Sequence, residues 1–269
     1  MTLYEAILLG IVQGITEFLP ISSSGHLTIF QRVFGFEEPA ILFDICLHVG
    51  TLFAVIFYLW PDLKNITEDI LTFFRGYSLK KASGINSGSF LLSIIVASIP
   101  TAIIGLALKS SAETVFMSVT WVGVMLIITG CIVGLSFFIP ASPCCGFFVE
   151  LRFAFIIGIA QGLAVMPGIS RSGITIICAL LCGIHRELAG KFSFFISIPA
   201  IIGALLLSFK AESIEHIGFL PIFAGFVTAA IVGWLALVTL MGLLKKGKLY
   251  VFAPYCWFMG LIAVIAGLI

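Results

Sequence analysis

Charge is scarce in this sequence. Asp, Glu, Lys and Arg make up 10% of its 269 residues, while 61% are hydrophobic, against roughly a quarter charged in an ordinary soluble domain. A water-soluble globule of this length cannot cover its surface with so few charges, and disorder needs a polar composition, so both classes are excluded. An excess of one sign is lacking too. The 14 Lys and Arg stand against 13 Asp and Glu, a formal net charge of +1, which leaves no basic patch for nucleic acid and no acidic tail. A disulfide framework is also missing. The seven cysteines, Cys46, Cys131, Cys144, Cys145, Cys178, Cys182 and Cys256, are odd in number and follow no zinc spacing. Cys178 and Cys182 share a helix face, but two thiols alone make no metal site and read as small packing residues. The N-terminus carries Glu5 and no basic stretch ahead of a small-residue cleavage site, so it is expected to be a structural helix rather than a cleaved signal.

What is present is apolar sequence, with a mean hydropathy of +1.22. A spanning helix needs about 20 apolar residues. Six runs, roughly 41–60, 90–108, 115–139, 190–209, 218–244 and 250–269, meet that length or come close. Four others, 3–19 with 23–34 and 152–166 with 171–184, are short pairs, each broken at a Pro and a Ser/Gly cluster. The expected fold is an all-α polytopic membrane protein of about ten helices, forming one domain over 1–269. Six helices would be full spans, and the short pairs would be two re-entrant helix-loop-helix hairpins. The loop 61–89 reads as an amphipathic connector.

The two breaks are copies. At a shift of 148 residues, Gly10, Ile11, Gln13, Gly14, Ile21, Ser22, Ser24 and Gly25 fall on Gly158, Ile159, Gln161, Gly162, Ile169, Ser170, Ser172 and Gly173. Interrupted segments at matching places of two halves mark an internal repeat and point to a binding site. The halves are expected at about 1–140 and 150–269. If each hairpin returns to its own side, each half has three true spans, so the repeat is inverted and the hairpins enter from opposite faces. Non-helical backbone at that depth requires surrounding protein or a water-filled cavity. Basic residues then divide ten to three. Lys64, Arg75, Lys80, Lys81, Arg152, Arg186, Lys191, Lys245, Lys246 and Lys248 lie on one side, and Arg32, Lys109 and Lys210 lie with the N-terminus. The positive-inside rule puts the first group in the cytoplasm and both termini outside.

Ionisable side chains at bilayer depth cost at least roughly 2.5–3.5 kcal/mol each, and they normally face a cavity or a partner. The candidates are Glu17, His26, Asp44, His48 and Arg171. Glu17 and Arg171 belong to the opposed breaks and bring opposite charges to one place if the breaks meet. Arg171 stands between Ser170 and Ser172, with Gly168 before it and Thr175 a turn later, at the expected start of a helix. Free N–H groups, a positive dipole end, hydroxyl donors and a planar guanidinium together make a phosphate cradle. The first break supplies acid–base groups. Gln13 and Glu17 share a face, and Ser22, Ser23, Ser24 and His26 follow Pro20. A carboxylate can hold a divalent cation or act as a base, and Ser23, Ser24 or His26 can act as nucleophile. Asp44 and His48, four apart, are as well explained by a structural polar pair and stay outside the expected primary site. His185 and His216 read as loop residues. Tyr58, Trp60, Tyr250 and Trp257 sit near span ends as interfacial anchors.

These motifs closely resemble the undecaprenyl-diphosphate phosphatase family, the bacitracin-resistance type of bacterial membrane enzyme. PGISRSGIT, Pro167 to Thr175, fits the family pattern PGxSRSxxT, and QGITE, Gln13 to Glu17, fits (E/Q)xxxE ahead of FLPISSSGH, which ends at His26. Length, hydropathy and segment order agree over almost the whole chain. The resemblance implies removal of the terminal phosphate from a polyprenyl diphosphate to give the monophosphate carrier used in cell-wall synthesis. It also implies a divalent cation (Mg²⁺ or Ca²⁺), a site open to the outer face and a place in the bacterial plasma membrane. The functional residues it implies are Glu17, a serine of 22–24 (Ser23 foremost), His26, Ser170, Arg171 and Thr175. Gln13 stands where many members have Glu, which leaves Glu17 as the main carboxylate for a metal. The expected partners are the lipid diphosphate and membrane lipids, with a homodimer admitted and nucleic acid excluded. Secondary transport or lipid flipping is the rival reading, because inverted repeats with broken helices are also a transporter design.

Overall fold

The computed structural model of the chain describes residues 1–35, 41–74, 87–116, 118–140, 149–208 and 218–268. Arg75, Lys80, Lys81, Lys210, His216, Cys144 and Cys145 lie outside the described residues. Within them the regular structure is helical throughout. Chain order runs α1 Leu3–Phe18, α2 Ser23–Val33, α3 Ile41–Tyr58, α4 Trp60–Phe74, α5 Ser87–Ala107, α6 Lys109–Phe116, α7 Val119–Gly134, α8 Leu151–Leu163, α9 Arg171–Leu181, α10 Arg186–Ser208, α11 Phe219–Lys245 and α12 Ala253–Ala266. This is two helices more than expected. The first, α4, forms inside the stretch read as a connector, where Lys64 and Glu68 pair at 3.8 Å across one turn. The second, α6, is a short polar helix following α5.

Among the described residues, five stretches are each long and apolar enough to cross a membrane: Gly88–Ala107, Val119–Phe138, Arg186–Leu207, Phe219–Lys245 and Leu249–Ala266. The run expected at 41–60 meets the same test only together with the start of α4, as a bent sixth span. There the chain turns by 67° between Phe43–Tyr58 and Trp60–Asp69, so α3 ends at a corner from which α4 departs. Large apolar side chains such as Phe57, Ile103, Leu206, Phe219 and Phe258 face outward. That arrangement would be insoluble in water and is natural against lipid tails. The chain is a multi-pass membrane protein.

The helices break where the sequence breaks. Leu19, ahead of Pro20, is extended at φ −60°, ψ 141°, as steric conflict with a proline ring requires. Ser22 then takes φ +68°, a region few non-glycine residues occupy, and caps α2 by accepting from the Gly25 amide at 3.3 Å. In the second break Gly168 takes φ +93°, and Ser170 caps α9 by accepting from Gly173 at 3.1 Å.

Glycine contacts decide which helices pack. A Cβ at Gly10 would stand 2.7 Å from the Gly225 carbonyl oxygen, and one at Gly14 would stand 2.8 Å from Val232 Cβ, so α1 lies close on α11. A Cβ at Gly158 would collide with the Ala97 carbonyl, and one at Gly162 would stand 2.7 Å from Ile104 Cβ, so α8 lies equally close on α5. The main core gathers Ile176 and Ile177 of α9, Phe192 and Ile196 of α10, and Leu237, Leu240 and Leu244 of α11. Phe18 is locked edge-on to Phe194, ring centroids 5.6 Å apart.

At one end of the bundle Lys191 bonds Asp62 at 3.0 Å, and Lys245 pairs with Glu187 at 3.1 Å. These contacts tie α4, α10 and α11 together. The five described cysteines are all free thiols.

Because the Gly158 contact leaves no room for a methyl group, Gly158→Ala is expected to destabilise the protein by about 1–3 kcal/mol. Gly242→Ala, with open space around the glycine, is expected to be neutral or mildly stabilising. Thermal unfolding of the detergent-solubilised protein measures both, and an unchanged midpoint for Gly158→Ala would contradict the packing described.

Candidate active site

Glu17 stands at the last turn of α1, its side chain 3% exposed. One carboxylate oxygen, Oε1, accepts from Nη2 of Arg171. The other, Oε2, accepts from Ser23 Oγ at 2.6 Å and Gln13 Nε2 at 3.0 Å. Ser23 and Arg171 are the first residues of α2 and α9 and are themselves 148 apart. The two helix starts therefore grip the two oxygens of one carboxylate. The breaks meet at other points as well. Ser172 Oγ reaches the Leu19 carbonyl at 3.5 Å, and a Cβ at Gly25 would lie 3.2 Å from Gly168 Cα.

A buried carboxylate held by a guanidinium and neutral donors is stable where a lone one is not. The first turns of α2 and α9 add N–H groups without intrahelical partners and the positive ends of two helix dipoles. The Arg171 side chain is 20% exposed, so this cluster is reachable. An arriving phosphate finds there a guanidinium, hydroxyls and helix N-termini, which are the elements of anion recognition.

The remaining expected residues bond one another and the backbone of the two breaks. Ser170 and Ser172 lie Oγ to Oγ at 3.2 Å, and Ser22 and Ser24 at 3.4 Å. Thr175 is fully buried and bonds groups other than Glu17. Its Oγ1 donates to the Arg171 carbonyl at 2.7 Å and lies 2.5 Å from Ser193 Oγ, so it braces the start of α9 from below. Gly168 packs on α7, where a Cβ would stand 2.5 Å from the Val122 carbonyl oxygen, and its own carbonyl accepts from Thr129 at 2.7 Å. His26 makes no bond to Glu17. Its ring nitrogens bond the Ser22 carbonyl and the Tyr255 hydroxyl, each at 2.8 Å.

Several neighbours were invisible to spacing. His48, expected outside the primary site, has its Nδ1 3.3 Å from Glu17 Oε2 and 2.8 Å from Gln13 Nε2. Gln13 Nε2 donates to the carboxylate and also meets the imidazole, so Glu17, Gln13 and His48 form one polar cluster. Asp44 belongs elsewhere: Gln31 donates to it at 2.6 Å, tying α2 to α3. The pair of ionisable residues four apart on α3 was the available signal for His48. No local pattern marks Thr129, Ser193 or Tyr255.

A divalent cation is a stricter test. Among the described residues no group of three or more His, Cys, Asp and Glu could hold a metal ion. The donors at hand are the Glu17 carboxylate and Gln13 Oε1, which is buried and has no hydrogen-bond partner. Both are hard oxygen donors. They suit Mg²⁺ or Ca²⁺ shared with substrate phosphate oxygens, the usual arrangement for Mg²⁺, rather than a cage built by protein alone.

The sequence matches the model of the bacitracin resistance protein BacA family over residues 6–262. It is similar to the undecaprenyl-diphosphatase of Desulforapulum autotrophicum, 45% identical over 277 aligned residues covering 100% of both chains. Proteins of the same name from Desulfatibacillum aliphaticivorans (39%, 98% of this chain and 99% of the relative) and Halothermothrix orenii (40%, 98% of each) match as fully. These relatives carry a phosphatase name, which lends the transporter reading no support. With a match over nearly its whole length, the chain belongs to the BacA family.

Proposed function

We propose that the chain is an integral-membrane hydrolase that removes the terminal phosphate of undecaprenyl diphosphate. The product is the monophosphate carrier for peptidoglycan synthesis, and the activity underlies bacitracin resistance. Family membership and the names of full-length relatives support the reaction. The observation that carries the site is the meeting of Glu17, Ser23 and Arg171 at the starts of two helices. In this proposal Arg171, Ser170, Ser172 and the free amides of α9 bind the diphosphate, with Arg171 turning from Glu17 to the substrate. Thr175 and Gly168 hold that helix start in place. Ser23 Oγ, already bonded to Glu17, is the placed nucleophile. Glu17 takes its proton, Ser23 Oγ bonds the terminal phosphorus, and the bond to the bridging oxygen breaks as undecaprenyl phosphate leaves. Arg171 and the helix N-termini stabilise the charge that develops. Water then cleaves the phosphoserine to inorganic phosphate and Ser23. His26, on the same helix face as Ser23 three residues on, accepts the proton of that water. A divalent cation held by Glu17, Gln13 Oε1 and the substrate would neutralise diphosphate charge.

The proposal places the two broken pairs, α1–α2 and α8–α9, as re-entrant hairpins of an inverted repeat spanning about 1–140 and 150–269 in one domain. The site opens to the outer face, and both termini lie outside the plasma membrane. Helix register supports the repeat. Gly10 and Gly158 meet residues 225 and 97, and Gly14 and Gly162 meet 232 and 104; both sets of targets differ by 128. One register thus relates α1 on α11 to α8 on α5. The ion chain of Asp62, Lys191, Glu187 and Lys245 gathers the ends assigned to the cytoplasm.

Purified protein in detergent is expected to release inorganic phosphate from undecaprenyl diphosphate. Arg171→Ala and Glu17→Ala should each lower kcat at least about 100-fold, the scale of losing one preorganised charge contact, while the protein still elutes as a folded species. Retained turnover in both variants would remove the proposed site. For the ion pair itself, the cycle of Glu17→Gln with Arg171→Gln is expected to give a coupling of about 0.5–3 kcal/mol in thermal stability, and strict additivity would mean the pair is not formed in solution.

A further inference from the structure

The surroundings of His26 assign its two nitrogens. Nδ1 lies 2.8 Å from the Ser22 carbonyl oxygen. A carbonyl only accepts, so Nδ1 carries the proton of the neutral ring. Nε2 is then the bare nitrogen, and it lies 2.8 Å from the hydroxyl of Tyr255, which must donate. The two rings also lie almost parallel, 7° apart with centroids separated by 5.7 Å. Tyr255 comes from α12, 229 residues along the chain, outside both motifs. The next residue, Cys256, donates its thiol to the Pro20 carbonyl at 3.5 Å, so α12 is pinned to the first break at two successive positions. His26 is 2% exposed and Tyr255 is 40% exposed. The buried nitrogen's polar neighbour is thus a side chain that itself reaches the surface of the protein.

We propose that Tyr255 is a positioning residue of the reaction: its hydroxyl and ring hold the His26 imidazole as the Nδ1–H form, with the Nε2 lone pair presented beside α2. This rests on the reading that His26 accepts a proton during turnover. When the water to be activated reaches Nε2, the Tyr255 hydroxyl gives up that position while the Nδ1–H bond to the Ser22 carbonyl keeps the imidazole from rotating. Tyr255 touches neither substrate nor phosphorus in this scheme and acts through His26 alone.

The test combines kinetics with a measurement independent of activity. Tyr255→Phe keeps the ring and removes the hydroxyl. It is expected to lower kcat about tenfold, within the roughly 10²–10⁴-fold that a positioned acid or base supplies, and to leave KM for undecaprenyl diphosphate within about twofold. In a His26→Ala background the same substitution should have no further effect, since a residue acting through another is silent without it. Wild-type kcat in Tyr255→Phe, or an undiminished effect without His26, overturns the proposal. ¹⁵N NMR of histidine-labelled protein, with His26→Ala identifying the signal, reads the ring directly. A protonated Nδ1 and bare Nε2, with the Nε2 shift moving in Tyr255→Phe, is expected. A proton on Nε2, or a shift indifferent to Tyr255, overturns the proposal. If His26→Ala retains full activity, the assigned role of His26 fails, and the NMR result still decides whether Tyr255 holds the ring.

Discussion

A single carboxylate organises this molecule. Glu17 is buried among apolar helices, where an uncompensated charge is costly, and the guanidinium and hydroxyl that compensate it come from the chain breaks, joined by Gln13 of α1 and His48 of α3. Arg171 and Ser23 reach it because each is the first residue of a helix that begins in the interior of the protein. Two continuous helices could not deliver these side chains in this way. The breaks expose backbone amides, and the amides need capping hydroxyls, which Ser22 and Ser170 supply. The polar lining of the site and the satisfaction of its own interrupted backbone are therefore one arrangement.

Close helix packing holds that arrangement in place. Glycines of α1 and α8 let α11 and α5 approach to backbone contact, so the helices leading into the breaks have little freedom to tilt. Thr129 donates to the Gly168 carbonyl and accepts from the Ser170 amide, binding the second break to α7, and the Cys256 thiol binds the first to α12. The result is a fixed cluster of donors around the Glu17 carboxylate. Carboxylate and phosphate are both oxyanions recognised by the same planar fork, which is the physical basis of the proposed exchange of Arg171 from Glu17 to substrate.

Much of this was legible in order of residues. The Pro and Ser/Gly clusters marked both breaks, the 148-residue shift tied them together, and two ionisable residues at bilayer depth named the ion pair. The spans were legible as apolar runs, except that Trp60 and Pro61 begin a new helix at a 67° corner, which length alone does not reveal. The role of Thr175 was less legible. The motif sets it beside Arg171 in sequence, but a helix carries residue i+4 onto the same face one turn deeper, where its hydroxyl meets the Arg171 carbonyl and Ser193 instead of the Glu17 carboxylate. His48 carried only the weak signal of an ionisable pair four apart on α3, and Thr129 and Tyr255 were not legible as site neighbours at all, since each reaches the breaks from another helix and belongs to no local pattern.

The amino-acid order by itself determined that the chain lies in a membrane, where its helices are interrupted, and which residue types stand at the interruptions. These follow from hydrophobicity, from proline and serine geometry and from spacing, all of which act over a few neighbouring residues. Only the tertiary structure decided which partners share the Glu17 carboxylate, that His26 faces Ser22 and Tyr255 rather than Glu17, and that Gly168 serves packing on α7. Those outcomes depend on contacts between residues as far as 229 positions apart, and helix docking sets them through glycine-sized gaps that no short stretch of sequence encodes.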